Sequence, residues 1–210
     1  MRQSYPGLNA PVKKMPRRNR FQLLVTGVLS TRTQDPVTVT AARRLLCRAP
    51  DPKALARLRP ETVERLIFPV GFYRTKAQLL PRLARMLIAN WQGRVPDRFE
   101  ELVTLPGVGR KVANIVLSQG FGRPAIAVDS HVHRISNRMG LVRTSTPEQT
   151  EKELLRVLPK RFWSEWNRLL VALGQTICRP RRPLCSECPI FGLCRRQGVE
   201  PSQSRLKRTR

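Results

Sequence analysis

Along most of this chain the apolar positions recur every three or four residues, the spacing of one face of an α-helix. The first such stretch, FQLLVTGVLS at 21–30, is almost continuously apolar and predicts a buried helix. It follows basic, proline-bearing residues and ends without a small-residue cleavage pattern, so it does not read as a signal peptide. No stretch reaches the ~18 consecutive apolar residues that a membrane span requires. Several helices mark their own starts. In QDPVTVTAARRLL, Asp35 is the expected cap with Pro36 in the first turn, and in PDPKALARL, Asp51 and Pro52 repeat the device. In STPEQTEKELLRVL, Thr146 caps, Pro147 follows and Gln149 stands three residues on, a capping box ahead of Leu154, Leu155 and Leu158. FWSEWNRLLVALGQTIC continues the helical period. Pro81 inside AQLLPRLARML is expected to split or kink that segment. Strand-like alternation is scarce, and PAIAV at 124–128 reads as a short extended connector. The predicted class is all-α.

Charge narrows the range of partners. The 210 residues, enough for one large domain or two small ones, carry 40 Lys plus Arg against 14 Asp plus Glu, a formal charge of +26. A chain this basic points to a polyanion, of which nucleic acid is the commonest. Residues 1–20 bear six basic side chains, three prolines and no acid, which predicts a basic arm. Residues 195–210 bear six basic residues against Glu200, a solvated tail. With no export signal in view, the expected compartment is the reducing cytoplasm, where clustered cysteines bind metal more often than they form disulfides.

Three motifs carry chemistry. DRFEELVTL runs as a helix into Pro106, Gly107, Val108 and Gly109, and a second helix is expected from Arg110. A helix–hairpin–helix with two glycines leaves backbone N–H groups at a helix start, where the dipole favours an anion such as a DNA phosphate. An ordinary helix–turn–helix corner would use the same residues. Lys111 follows, on the more polar face with residues 114 and 118, between the apolar positions 112, 113, 115 and 116. As a surface lysine it is a phosphate contact; as a nucleophile it must shed its proton, and at a pKa of ~10.4 only about one lysine in 2,500 is neutral at pH 7. Partial burial and a cationic neighbour such as Arg110 would favour the free amine. Eighteen residues on, Asp129 in AVDSHVHRISNRMG stands at a predicted helix start. It is either a plain N-cap or an ionised carboxylate poised to steady a positive sugar or accept a proton. Near the C-terminus four of the five cysteines form C-x6-C-x2-C-x5-C at Cys178, Cys185, Cys188 and Cys194. The spacing predicts a four-cysteine metal site and leaves zinc and iron–sulfur both open. Cys47, at the end of AARRLLC, is expected to be a buried thiol.

Taken together, LPGVGRKVAN, AIAVDSH and the cysteine pattern resemble the endonuclease III family of DNA glycosylases, over about residues 20–195. LVTGVLSTRTQD and VGFYRTKA resemble that family's DNA-facing segments. Two departures stand out: a shorter, more basic segment before residue 20, and Arg32 where family members often carry glutamine. The resemblance implies a two-lobed helix–hairpin–helix glycosylase fold with a C-terminal cluster loop: a basic arm at 1–19 packing with the cluster lobe, a six-helix barrel at 20–123, the cluster lobe at 124–196 and a disordered tail at 197–210. It implies a 4Fe–4S cluster on the four cysteines, with Arg179, Arg181 and Arg182 on a basic loop against phosphates. Leu105, Gly107, Val108, Gly109 and Arg110 are the implied DNA-binding hairpin, and Arg32 and Phe72 the groups entering the gap left by a flipped nucleotide. Phe72 reads equally as a core residue beside Tyr73.

The implied activity is that of a bifunctional glycosylase and AP lyase for oxidised pyrimidines in base excision repair. Lys111 forms a Schiff base at the sugar and Asp129 assists, on double-stranded DNA carrying a damaged base or an abasic site. The implied protein is a monomer of the cytoplasm and bacterial nucleoid, with no membrane partner. A monofunctional, mismatch or adenine-type glycosylase of the same fold is the second reading, against which Lys111 argues. A non-catalytic helix–hairpin–helix DNA-binding module is the third; it leaves Lys111, Asp129 and the four cysteines unaccounted for.

Overall fold

The computed structural model describes residues 19–200; the expected basic arm up to residue 18 and the tail from 201 lie outside them. Among the described residues there are helices and no strand. The chain divides into two compact units, parting between Ala125 and Ile126 within the PAIAV connector.

Among its described residues the first unit holds seven α-helices: α1 (Arg20–Ser30), α2 (Asp35–Arg48), α3 (Pro52–Ala56), α4 (Pro60–Ile67), α5 (Tyr73–Trp91), α6 (Phe99–Leu102) and α7 (Arg110–Ile115). As its continuous apolar run predicted, α1 is buried nearly all round, with Leu24, Val25, Val28 and Leu29 essentially excluded from water. Leu45, Ile67, Leu80, Leu83 and Leu87 from α2, α4 and α5 join them in one core. Each fully buried leucine stabilises the unit by roughly 1.5–3 kcal/mol relative to exposure. The helix begun by α7 widens into a π-turn over Val116–Gly120, a feature no periodicity announced.

In the second unit α8 (Ser130–Met139), α9 (Pro147–Val157) and α10 (Trp163–Thr176) pack Val132, Ile135, Leu154, Leu170 and Leu173 around a separate core. Thr150 of α9, fully buried, bonds His133 Nδ1 and Thr144 Oγ1, each at 2.6 Å, and so ties α9 to α8 through satisfied polar groups.

Local expectations fare unevenly. Asp51 caps α3 through the Ala54 N–H at 2.8 Å, and Thr146 caps α9 through the Gln149 N–H at 3.2 Å. Gln149 Oε1 in return accepts the Ser145 N–H at 2.9 Å. Asp35 is not the cap of α2: Gln34 holds that position, and Asp35 is the first helical residue. There its charge still complements the helix dipole. Pro81 does not split its segment, since α5 runs unbroken from Tyr73 to Trp91. The ring removes one backbone hydrogen bond, at a cost of about 3 kcal/mol. The burial of Leu80, Leu83, Ala84 and Leu87 around it offsets that loss. Cys47 is exposed, not buried. The buried stripe of α2 runs through Thr38, Ala41, Ala42 and Leu45, and two residues beyond Leu45 the helix has turned Cys47 to the opposite side.

Candidate functional site

Between α6 and α7 the chain makes the expected turn. Gly107 adopts φ +79, a left-handed backbone that glycine reaches without strain. Gly109 is the N-cap of α7, with open space before its α-carbon. Leu105 and Val108 turn their side chains into the core, and the Val108 N–H donates to the Leu105 carbonyl at 3.0 Å. Their side chains therefore hold the hairpin in place and leave its outer surface to Gly107, Gly109 and Arg110, all exposed. The Arg110 guanidinium stacks 4.6 Å from the Phe99 ring centre. Lys111, half-buried, occupies the second position of α7.

Behind it lies a residue the sequence reading missed. Lys76 of α5 is buried, and its Nζ donates to the carbonyls of Leu29 at 3.0 Å and Thr31 at 2.7 Å. Burial, and then the charge of Lys111, lower its pKa from 10.5 to about 8. The signal was in the sequence: Lys76 falls on the same stripe as Leu80, Leu83 and Leu87, where an apolar side chain is the rule.

Arg32 and Phe72 stand on two adjoining loops. Phe72 is 63 % exposed, which removes the core reading, and the Arg32 guanidinium lies 5.7 Å from its ring centre. Phe68, not Phe72, packs edge-on against Tyr73. Both Arg32 (φ 51) and Phe72 (φ 56) hold left-handed backbones that are unusual for side chains of this bulk.

In the second unit Asp129 is the N-cap of α8. Its Oδ1 accepts the N–H groups of His131 and Val132, each at 2.9 Å, and its Oδ2 meets Asn167 Nδ2 at 3.3 Å. Asn167, which also donates to the Ala127 carbonyl at 2.9 Å, orients the carboxylate and went unnoticed in the sequence.

The four clustered cysteines line one cavity, whose other walls include Ile135, Leu173, Ile177 and Ile190. Among the described residues no three His, Cys, Asp or Glu side chains converge on a single metal ion. Four thiol donors spread round an apolar cavity suit a multi-iron cluster, in which each thiolate has its own iron. Burial raises the pKa of Cys185 and of Cys188. Cationic and N–H groups stand ready for the thiolates a cluster needs. Arg138 Nη1 donates to Cys178 Sγ at 3.5 Å and to the Arg179 carbonyl at 2.7 Å, and Nη2 donates to the Pro180 carbonyl at 2.6 Å. The Arg196 N–H reaches Cys194 Sγ at 3.4 Å, and Arg134 Nη2 holds the Cys178 carbonyl at 3.0 Å. With these bonds formed by Arg134, Arg138 and Arg196, the loop's own Arg179, Arg181 and Arg182 remain exposed. No sequence signal separates the two sets, because arginine is abundant everywhere in the chain.

A glycine-turned helical hairpin and a four-cysteine loop define a class. The profile of HhH-GPD superfamily base excision DNA repair proteins matches residues 25–160, and that of the iron–sulfur binding domain of endonuclease III matches residues 178–194. Endonuclease III of Thermotoga maritima is 46 % identical over 94 % of this chain and 96 % of its own length. A trapped endonuclease III–DNA covalent intermediate superposes with a TM-score of 0.84 at 37 % identity, covering 92 % of this chain and 90 % of that one. A non-covalent endonuclease III–DNA complex does so at 0.81 and 39 % identity, covering 85 % and 84 %. The chain belongs to the endonuclease III family. Its cofactor is a 4Fe–4S cluster. Among the described residues no helix is long and apolar enough to cross a membrane.

Proposed function

We propose that this DNA glycosylase and AP lyase of base excision repair removes oxidised pyrimidines from duplex DNA, with Lys111 as its nucleophile. The observation that carries the reading is the setting of Lys111: half-buried, at the start of α7 directly after the Gly107–Gly109 turn. The hairpin's Gly107, Gly109 and Arg110 take a backbone phosphate, with Leu105 and Val108 as its buried supports. The damaged nucleotide leaves the stack, since C1′ is out of reach within the duplex. The Lys111 amine attacks C1′ and the bond from C1′ to the base breaks; the C1′–O4′ bond then opens, O4′ takes a proton, and the sugar is held as a Schiff base. Loss of a C2′ proton then expels the 3′ phosphate by β-elimination. Asp129 receives the amine's proton and steadies the positive sugar, its geometry set by the α8 N–H groups and Asn167.

Cys178, Cys185, Cys188 and Cys194 would hold the cluster, and their common attachment to it would give the loop the rigidity to present Arg179, Arg181 and Arg182 to phosphates. Arg32 and Phe72 fill the gap in the stack, the aromatic ring as a wedge and the guanidinium as a donor to the orphaned base. The substrate is double-stranded DNA with a damaged base or an abasic site, bound by the protein as a monomer in the cytoplasm and nucleoid. Borohydride trapping on abasic duplex tests the assignment. Wild-type protein is expected to form a covalent adduct, and Lys111→Ala to form none while still binding the duplex. Undiminished trapping by the variant would remove Lys111 as nucleophile.

A further inference from the structure

The chemistry above makes no use of Lys76, which is 5 % exposed and carries a cation. A charge removed from water persists only where hydrogen bonds replace its hydration. Here the replacement is specific. The Leu29 and Thr31 carbonyls that accept from Nζ lie at the C-terminal end of α1, where backbone oxygens lack helical partners and the dipole is negative. The ammonium therefore caps α1, and the chain runs from that cap directly into Arg32.

Lys76 itself belongs to the other loop. It stands in the first turn of α5, and its N–H donates to the Phe72 carbonyl at 3.0 Å. Two further contacts join the same pair of loops. The Gly71 N–H donates to Thr33 Oγ1 at 3.1 Å, and a Cβ on Gly71 would collide with the Arg32 carbonyl, so only glycine permits the approach. At the junction Arg32 and Phe72 both adopt left-handed backbones, conformations that last only where the surroundings enforce them.

We propose that Lys76 is a positioning residue for recognition of the base opposite the lesion: its ammonium clasps the Arg32 loop to the Phe72 loop, so that the two side chains enter the duplex as one unit. This rests on the reading of Arg32 and Phe72 as the groups that fill the gap. Protonation should matter to such a clasp. Lys111 on α7 is the charged group that faces Lys76, and the Leu29 and Thr31 carbonyls face it from the end of α1. With a pKa lowered from 10.5 to about 8, Lys76 is an ammonium below that pH and loses its proton as pH rises through it. The clasp holds on the acid side and weakens on the alkaline side.

The test compares kcat/KM on duplexes carrying thymine glycol opposite guanine and opposite adenine, and follows the ratio of the two. Arg32→Gln is expected to change that ratio. Lys76→Met should move it in the same direction by about threefold or more, and the double variant should add nothing, because one residue acts through the other. Lys76→Arg, which keeps a cationic donor, should recover most of the wild-type ratio. If Lys76→Met does not fold, wild-type protein gives the same decision: its ratio should drift toward the Arg32→Gln value between pH 7 and pH 9. A ratio altered by Arg32→Gln but untouched by Lys76→Met, or in a Lys76→Met protein that does not fold, flat with pH in the wild type, overturns the clasp alone. A ratio untouched by Arg32→Gln removes Arg32 as a reader and the clasp with it.

Discussion

On the proposed mechanism, Asp129 meets a structural and a chemical demand with one side chain. Its Oδ1 is occupied by two backbone N–H groups, while its Oδ2 has a single, longer bond to Asn167 and so retains capacity to accept. Substitution can separate the two demands, because asparagine caps a helix about as well as aspartate but cannot take a proton. Asp129→Asn is expected to keep a melting temperature close to wild type while turnover falls by about 10²-fold or more, the scale of lost general-base help. Asp129→Ala should also lose about 1 kcal/mol of stability through the missing cap. Thermal melts beside single-turnover kinetics distinguish these outcomes. An Asp129→Asn protein that unfolds but retains its rate would make the residue a cap and nothing more.

At the scale of an element, the stretch from Cys178 to Cys194 has little regular structure of its own: short 3₁₀ turns at Cys185–Glu187 and Phe191–Leu193. Its backbone is pinned from outside, by Arg134 and Arg138 of α8 and by Arg196. Purified holoprotein should contain about four irons per chain. Cys185→Ser should lower iron content, soluble yield and DNA affinity together, since the exposed arginines lose their anchor. Replacing Arg181 and Arg182 by glutamine should lower affinity alone and leave iron at the wild-type level. Iron analysis and binding titrations on the same preparations check both. Full affinity in an iron-depleted Cys185→Ser protein would separate the loop from DNA binding.

For the whole molecule the governing quantity is the formal +26. Phosphate contacts release counterions, so affinity falls with salt in proportion to the number of contacts. Neutralising about five phosphates gives a log K against log salt slope of about −4.5. Removing residues 201–210, which contain Arg205, Lys207, Arg208 and Arg210, should make that slope shallower without changing which lesion is preferred. Fluorescence anisotropy across a salt series, run beside a panel of lesions, measures both. A changed lesion preference would assign the tail a role beyond charge.

Much of this protein is written in local order along the chain. Periodicity gave the helical class, Asp51 and Thr146 marked their caps, and the glycines at 107 and 109 marked the hairpin, because each signal depends on neighbours a few residues away. Motif order pointed to the family and the cluster. Other features were settled only once distant segments met. Whether Cys47 lay inside depended on which face of α2 the core took, and Pro81 survived within α5 because the burial around it outweighed its backbone cost. Lys76 reads as one more cation in a chain full of them. Only packing brings its Nζ to carbonyls 45 and 47 residues away. Likewise Arg138 differs from Arg181 not in kind but in having carbonyls and a thiol within reach, across 40 to 42 residues of sequence. A side chain's type and its near neighbours are properties of the sequence; its burial and its distant hydrogen-bond partners, which decide what a charge does, arise only in the folded chain.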